Sequence, residues 1–292
     1  MTAANAAGPA KTQSRLGPWP KRITVLALVV LWSLPTVGIL ISSFRDARAI
    51  TSTGWWTALF NPLGEDWTLI NYEQVLGSEN MANAFINSLI VTIPSTIIPI
   101  TVAAFAAYAF AWMRFPLRGT LFLLVVALLV VPLQMALIPV QQLYSALGLN
   151  NTFVSVWLAH TAFGLPLAIF LLYNFISQLP GDLFETASID GATHFQMFTK
   201  VVLPLSIPAL AAFAIFQFLW VWNDLLVALT YLGGLPDQSV MTLELSRLVG
   251  GRGQQWHLLT AGAFITMLLP VTVFLLLQRY FVRGILAGSV KG

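Results

Sequence analysis

Leu179-Pro180-Gly181-Asp182-Leu183-Phe184-Glu185-Thr186-Ala187-Ser188-Ile189-Asp190-Gly191-Ala192-Thr193-His194, running on through Phe195, Phe198 and Lys200 to Val201-Val202-Leu203-Pro204, decides how this chain is read. The windows on either side, Gly119 to Gly181 and Val201 to Asn223, contain no Asp, Glu, Lys or Arg. The stretch itself reads as a helix, a glycine turn and a second helix. Asp182 is placed to cap the first helix, with Glu185 three residues later in a capping-box-like pattern. Gly191 supplies a positive φ that ends it. Thr193 can cap the second helix, and Lys200 suits the negative end of its dipole. Phe184, Ala187, Phe195 and Phe198 give an apolar side at helical spacing.

Outward from this loop the chain is almost uniformly apolar. Of its 292 residues 58% are apolar and 9% charged, against about 25% charged in an ordinary soluble domain. Mean hydropathy is +0.81. That balance excludes a soluble globular domain and disorder. Cysteine is absent, which removes disulfides, thiolate nucleophiles, iron–sulfur clusters and Cys-based zinc sites. His160, His194 and His257 are too scattered for a metal cluster, so no metal site is expected. Further uncharged windows run from Ile23 to Phe44, Asn80 to Met113 and Gly253 to Gln278, and the polar turn at 148–151 divides the window of 119–181. The fold class is therefore all-α and polytopic. Six spans are expected at about 23–44, 83–113, 119–146, 152–177, 204–230 and 257–280, each near the roughly 20 residues a bilayer requires. Pro35, Pro94, Pro132, Pro139, Pro166, Pro208 and Pro270 fall inside spans and should kink them. Residues 1–22 read as a disordered tail and 282–292 as a short C-terminal tail. The first apolar run is too long for a signal-peptide core, so it reads as an uncleaved helix.

Orientation follows from Lys and Arg. With the N-terminus inside, ten basic residues fall on the cytoplasmic side (Lys11, Arg15, Lys21, Arg22, Arg114, Arg118, Lys200, Arg279, Arg283, Lys291) and four outside (Arg45, Arg48, Arg247, Arg252). Both termini are then cytoplasmic, and the net charge of +3 is a topology signal rather than a nucleic-acid surface. The loop at 179–204 is cytoplasmic. An amphipathic pair lying on lipid carries Lys and Arg on its polar face. This one presents Asp182, Glu185 and Asp190 before its first lysine, which points to a protein partner.

The pattern Glu185-Thr186-Ala187-x-x-x-Gly191, with Val201-Val202-Leu203-Pro204 following, resembles the EAA loop of binding-protein-dependent ABC importer permeases. Thr186 and Val201 are mild departures from that motif. Thr68-Leu69-Ile70-Asn71-Tyr72, Trp222-Asn223-Asp224 and Tyr280 through Gly292 are similar to the maltose-type carbohydrate permeases, the six-span second permease subunit in particular. The resemblance implies a coupling helix, carried by Glu185, Ala187, Asp190, Gly191, Ala192, Leu203 and Pro204, docked on a separate cytoplasmic ATPase. It also implies a second permease subunit, two ATPase subunits and an extracytoplasmic solute-binding protein that delivers a sugar. The chain has no G-x-x-x-x-G-K-[ST] loop, so it should bind no cofactor itself, and ATP and Mg belong to the partner ATPase. Glu185 would pair with a basic group there; local capping is the other reading.

Trp222, Asn223 and Asp224 are candidates for the solute path, because aromatic faces stack on sugar rings and amides or carboxylates take hydroxyls. Asp224 is the only acid between Val201 and Leu235, and such acids at membrane depth face a cavity or a partner helix. Asn83 and Asn87 can bond across helices. His160 reads as a neutral histidine bonded to a neighbouring helix. Gly250, Gly251, Arg252 and Gly253 lie in an outer loop that, in the resembling family, faces the binding protein. The favoured solute is a di- or oligosaccharide, α-glucosides first, with glycerol-phosphate-like solutes second. A stand-alone secondary transporter is opposed by the lack of an inverted repeat or a charged relay, and a membrane enzyme by the lack of clustered His, Asp or Glu.

Overall fold

The computed structural model describes residues 19–77, 80–250 and 255–287. Its helices are α1 (Trp19–Ser43), α2 (Ala47–Ser52), α3 (Thr57–Phe60), α4 (Ile70–Gly77), α5 (Met81–Trp112), α6 (Arg118–Ala127), α7 (Leu133–Ala146), α8 (Phe153–Ile176), α9 (Gly181–Ile189), α10 (His194–Met197), α11 (Leu203–Trp222), α12 (Leu226–Leu232), α13 (Met241–Gly250) and α14 (Trp256–Ala287). Among the described residues there is only an isolated bridge, Arg45 to Trp67, and no strand. Among the described residues five helical runs are long and apolar enough to cross a membrane: 19–43, 81–112, 153–176, 194–222 and 256–278.

The third expected span, 119–146, is not a straight helix. α6 tightens through a short 3₁₀ turn, and the chain then bends by 104° into α7. The cause is local. Pro132 lacks an N–H and forbids helical backbone at the residue before it, so Val131 (ψ 115°) and Pro132 (ψ 127°) are both extended. The fifth span also differs from 204–230. It begins at His194, where α10 runs through a π-turn at 198–202 into α11, and breaks after Trp222. The N-terminal tail expected to 22 is already helical from Trp19, and the C-terminal tail expected from 282 is helical through Ala287. The rest of the expected N-terminal tail lies outside the described residues.

α5 packs along α8, and α11 lies against α5, α8 and α14. Ala103, Ala104 and Ala107 on α5 meet Ala168 and Leu172 on α8 in a core cluster; small side chains let two backbones approach, which drives helix association in lipid. α1 is peripheral: 6% of its span is buried, against 28 to 44% of the other four. Outside the spans, residues 44–77 fold into a small helical lobe. The Arg45 guanidinium, 1% exposed, donates from Nε to Glu65 Oε2 at 2.9 Å and from Nη2 to Oε1 at 3.0 Å. Asn71 donates to the carbonyls of Ser43 (3.0 Å) and Arg45 (2.9 Å), ending α1. Tyr72 bonds Ser43 Oγ at 2.6 Å. Burial pushes the Tyr72 phenol above its usual range, and the Ser43 bond offsets this in part.

Candidate functional site

The loop at 179–204 is built as two short helices with an exposed front and a buried back. α9 ends at a Schellman turn: Gly191 takes φ +73°, its N–H donates to Ser188 O at 3.1 Å, and the Ala192 N–H reaches back to Ala187 O at 2.9 Å. The reciprocal capping box sits on α10 and not on α9. Thr193 accepts the Gln196 N–H at 3.3 Å, and Gln196 Oε1 accepts the Thr193 N–H at 2.8 Å. Pro180 occupies the capping position of α9, so Asp182 lies inside the first turn and caps nothing; the box expected from Asp182 and Glu185 does not form. Asp182 still favours the positive end of that helix.

The buried back rests on three aromatic residues of one face of α5. Trp112 stacks on Phe184 with centroids 3.7 Å apart and planes at 18°, and its indole donates to Ile176 O at 3.0 Å. The Tyr108 hydroxyl bonds His194 Nδ1 at 3.0 Å. Phe105 stacks on Phe198 at 4.4 Å. Ala187 and Ala192 are half-buried against the same cluster. Phe195, expected on the apolar side, instead faces out at 66% exposure. Glu185, Asp182, Asp190 and Ile189 are exposed with it. The front is thus acidic with two large apolar residues, while the back is fastened. The α5 anchors are not part of the sequence expectation, although their spacing (105, 108, 112) beside Arg114 is the signal that finds them. At the far end of the loop, the Leu203 N–H bonds Phe198 O five residues back, and Pro204 offers no N–H. That π-turn aims α10 and α11 along one span.

The Trp222-Asn223-Asp224 stretch is arranged differently. Trp222 is 2% exposed; its ring packs on Phe218 and Phe85, and its indole donates to Thr266 O at 3.0 Å. Thr266 lies four residues before Pro270, whose missing N–H frees that carbonyl. Trp222 therefore repairs α14. Asp224 Oδ2 accepts the N–H groups of Val227 (2.9 Å) and Ala228 (3.1 Å), so it starts α12 and ends the span. His160 Nε2 stands 3.8 Å from the same oxygen, with its ring edge-on to Trp220. Asn223 is exposed and donates to Leu219 O of its own helix. Among the described residues no group of three His, Asp or Glu could hold a metal ion.

At the ends of the spans away from the loop at 179–204, α5 grips the loop before α13. Asn80 donates to Pro236 O at 2.9 Å, and Asn87 donates to the carbonyls of Asp237 and Ser239 at 2.9 Å each. Ser88 Oγ accepts the Met241 N–H at 2.9 Å. Asn83 bonds Asn80 rather than another span. Gly250 closes α13, and Gly251, Arg252 and Gly253 lie outside the described residues.

Residues 99–287, which include the loop and its three α5 anchors Phe105, Tyr108 and Trp112, match the family described as the binding-protein-dependent transport system inner membrane component. The chain belongs to that family. It is similar to the osmoprotective compounds uptake permease protein GgtD of Synechocystis, 60% identical over 93% of this chain and 92% of the relative. It is also similar to the alpha-glucoside transport system permease protein AglG of Rhizobium meliloti, 43% identical over 96% of this chain and 99% of the relative. A chain of a bacterial alginate ABC transporter shares the fold, with a TM-score of 0.62 at 16% identity over 89% of this chain and 93% of that one. The chain is a multi-pass, type I permease subunit of a carbohydrate or related-solute ABC importer.

Proposed function

We propose that this permease moves an α-glucoside, delivered by an extracytoplasmic binding protein, into the cytoplasm, and that the loop at 179–204 couples it to a separate ATPase. The observation that carries the coupling is the two-sided loop: an exposed acidic front with Ile189 and Phe195, over a back fixed to α5 by Phe184, His194 and Phe198. A push on the front cannot be absorbed by the loop itself, because the back is stacked and hydrogen-bonded to a span. Glu185 pairs with a basic group of the ATPase, which holds the ATP and Mg. A second permease subunit and two ATPase subunits complete the assembly, and both termini are cytoplasmic. Of the three residues first placed on the solute path, Asn223 is the one whose side chain is open to a solute.

The α-glucoside reading is supported by the relative from Rhizobium meliloti. A second reading, an osmoprotective solute, is supported by the 60% identity to the Synechocystis permease. The test is ATP hydrolysis by the reconstituted complex, stimulated by its binding protein across a panel of α-glucosides, osmoprotective solutes and glycerol phosphate. Stimulation by α-glucosides bears the first reading out, and stimulation by osmoprotective solutes alone replaces it with the second. A reporter fused after Lys200 should read cytoplasmic and one after Asp237 external; the reverse result sinks the orientation.

A further inference from the structure

α5 touches both sides of the machine. Its inner end carries the Phe105, Tyr108 and Trp112 anchors of the cytoplasmic loop. Its outer end holds the backbone of 236–241 through Asn80, Asn87 and Ser88. Between them α5 contains Pro94 and Pro99. Each proline leaves the carbonyl four residues earlier without its helical donor, and here those carbonyls belong to Ile90 and Ser95. Each is taken by a side chain from a different helix. The Trp157 indole on α8 donates to Ile90 O at 2.9 Å, and the Gln217 amide on α11 donates to Ser95 O at 3.1 Å. The course of α5 around each proline is therefore held by where α8 and α11 bind a carbonyl, and not by the helix's own ladder alone.

Room for movement lies beside one of these bonds. Gln217 is fully buried, its Oε1 has no partner, and it faces a cavity of about 440 Å³ walled in part by Leu128, Val131 and Leu133 at the break of the third span. Gly164 makes space for the amide: a Cβ there would stand 2.7 Å from Gln217 Oε1.

We infer that Trp157 and Gln217 are the fulcrum of α5, positioning residues about which this helix carries movement of the cytoplasmic loop to the outer loop at 236–241. The inference rests on the importer reading above. It predicts that the bonds must run between helices, and that satisfying the two carbonyls by another route is insufficient.

That difference is testable in the complete complex, reconstituted with its second permease, ATPase and binding protein. Gln217→Leu alone strands Ser95 O. Adding Pro99→Ala returns an N–H that closes the bond to Ser95 O inside α5, so the double variant has a satisfied backbone and no joint. It should assemble and keep its basal ATP hydrolysis, while binding-protein-stimulated hydrolysis and solute uptake fall by about tenfold or more. The pair Pro94→Ala with Trp157→Phe should behave alike at Ile90. A double variant that assembles and transports at the wild-type rate reduces the donor to carbonyl repair and overturns the fulcrum. If the first pair does not assemble, the second decides; if neither assembles, the premise that an internal bond can replace the interhelical one is wrong, and the inference falls. A wild-type complex without binding-protein stimulation overturns the importer reading itself, and needs no variant to show it.

Discussion

The loop at 179–204 and the Trp222-Asn223-Asp224 stretch look alike as sequence: each is a short polar interruption of apolar spans, carrying acids and aromatic residues. In the fold they face opposite ways. The loop sends Glu185 and Asp190 out to solvent and turns Phe184 and Phe198 inward. The stretch turns Trp222 inward to a proline-freed carbonyl and spends Asp224 on the first N–H groups of α12. A motif of sugar-binding residue types can thus be backbone repair. In lipid every unpaired carbonyl or N–H must find a partner inside the protein, so indoles, amides and carboxylates near a break are recruited to the backbone first.

The comparison can be broken most sharply at the loop's front and turn. Gly191→Pro removes the Ser188 bond and the positive φ together; it should abolish uptake while the chain still inserts. Gly191→Ala meets open space and pays only the left-handed strain, about 1–2 kcal/mol, so uptake should survive. Glu185→Ala should weaken ATPase attachment by about 30-fold or more, the effect of stranding a charge at an interface, read by co-purification in detergent. Normal attachment and uptake in both Gly191→Pro and Glu185→Ala would remove the loop from coupling.

For the inward-facing stretch, Trp222→Phe keeps the ring packing and loses the Thr266 bond. It should cost about 0.6–1.7 kcal/mol of stability in detergent, with uptake per assembled complex unchanged. A loss of uptake without a loss of stability would return Trp222 to the path. Asp224→Ala should cost about 0.5–2 kcal/mol, as the loss of a cap does, and Asp224→Asn should recover most of it because an amide oxygen still accepts. A comparable, local effect belongs to Tyr108→Phe, which breaks the His194 bond but leaves the packing against Phe198. About 1 kcal/mol is expected, measured as proteolytic opening of the loop.

Much of this was legible from residue types. The first, second and fourth spans fall within a few residues of their uncharged windows, because a helix that meets lipid cannot carry free charge. Gly191 and Thr193 announced their turns, since a left-handed residue and a hydroxyl cap are local requirements. The third span was misjudged: Pro132 is visible as a kink, but an apolar run carries no direction, and the 104° bend is set by two successive extended residues. Asp182 was misplaced because the helix is capped at Pro180 and starts two residues sooner.

What the sequence by itself determined is everything that depends on spacing and polarity along one chain: apolar spans and a loop whose pattern marks the family. What the tertiary structure decided is which neighbour each polar group finds. That Trp157, Gln217 and Trp222 serve carbonyls opened by Pro94, Pro99 and Pro270 depends on helix pairs many residues apart meeting at one depth. No local pattern encodes such a meeting, because it is fixed by the packing of α5, α8, α11 and α14 together.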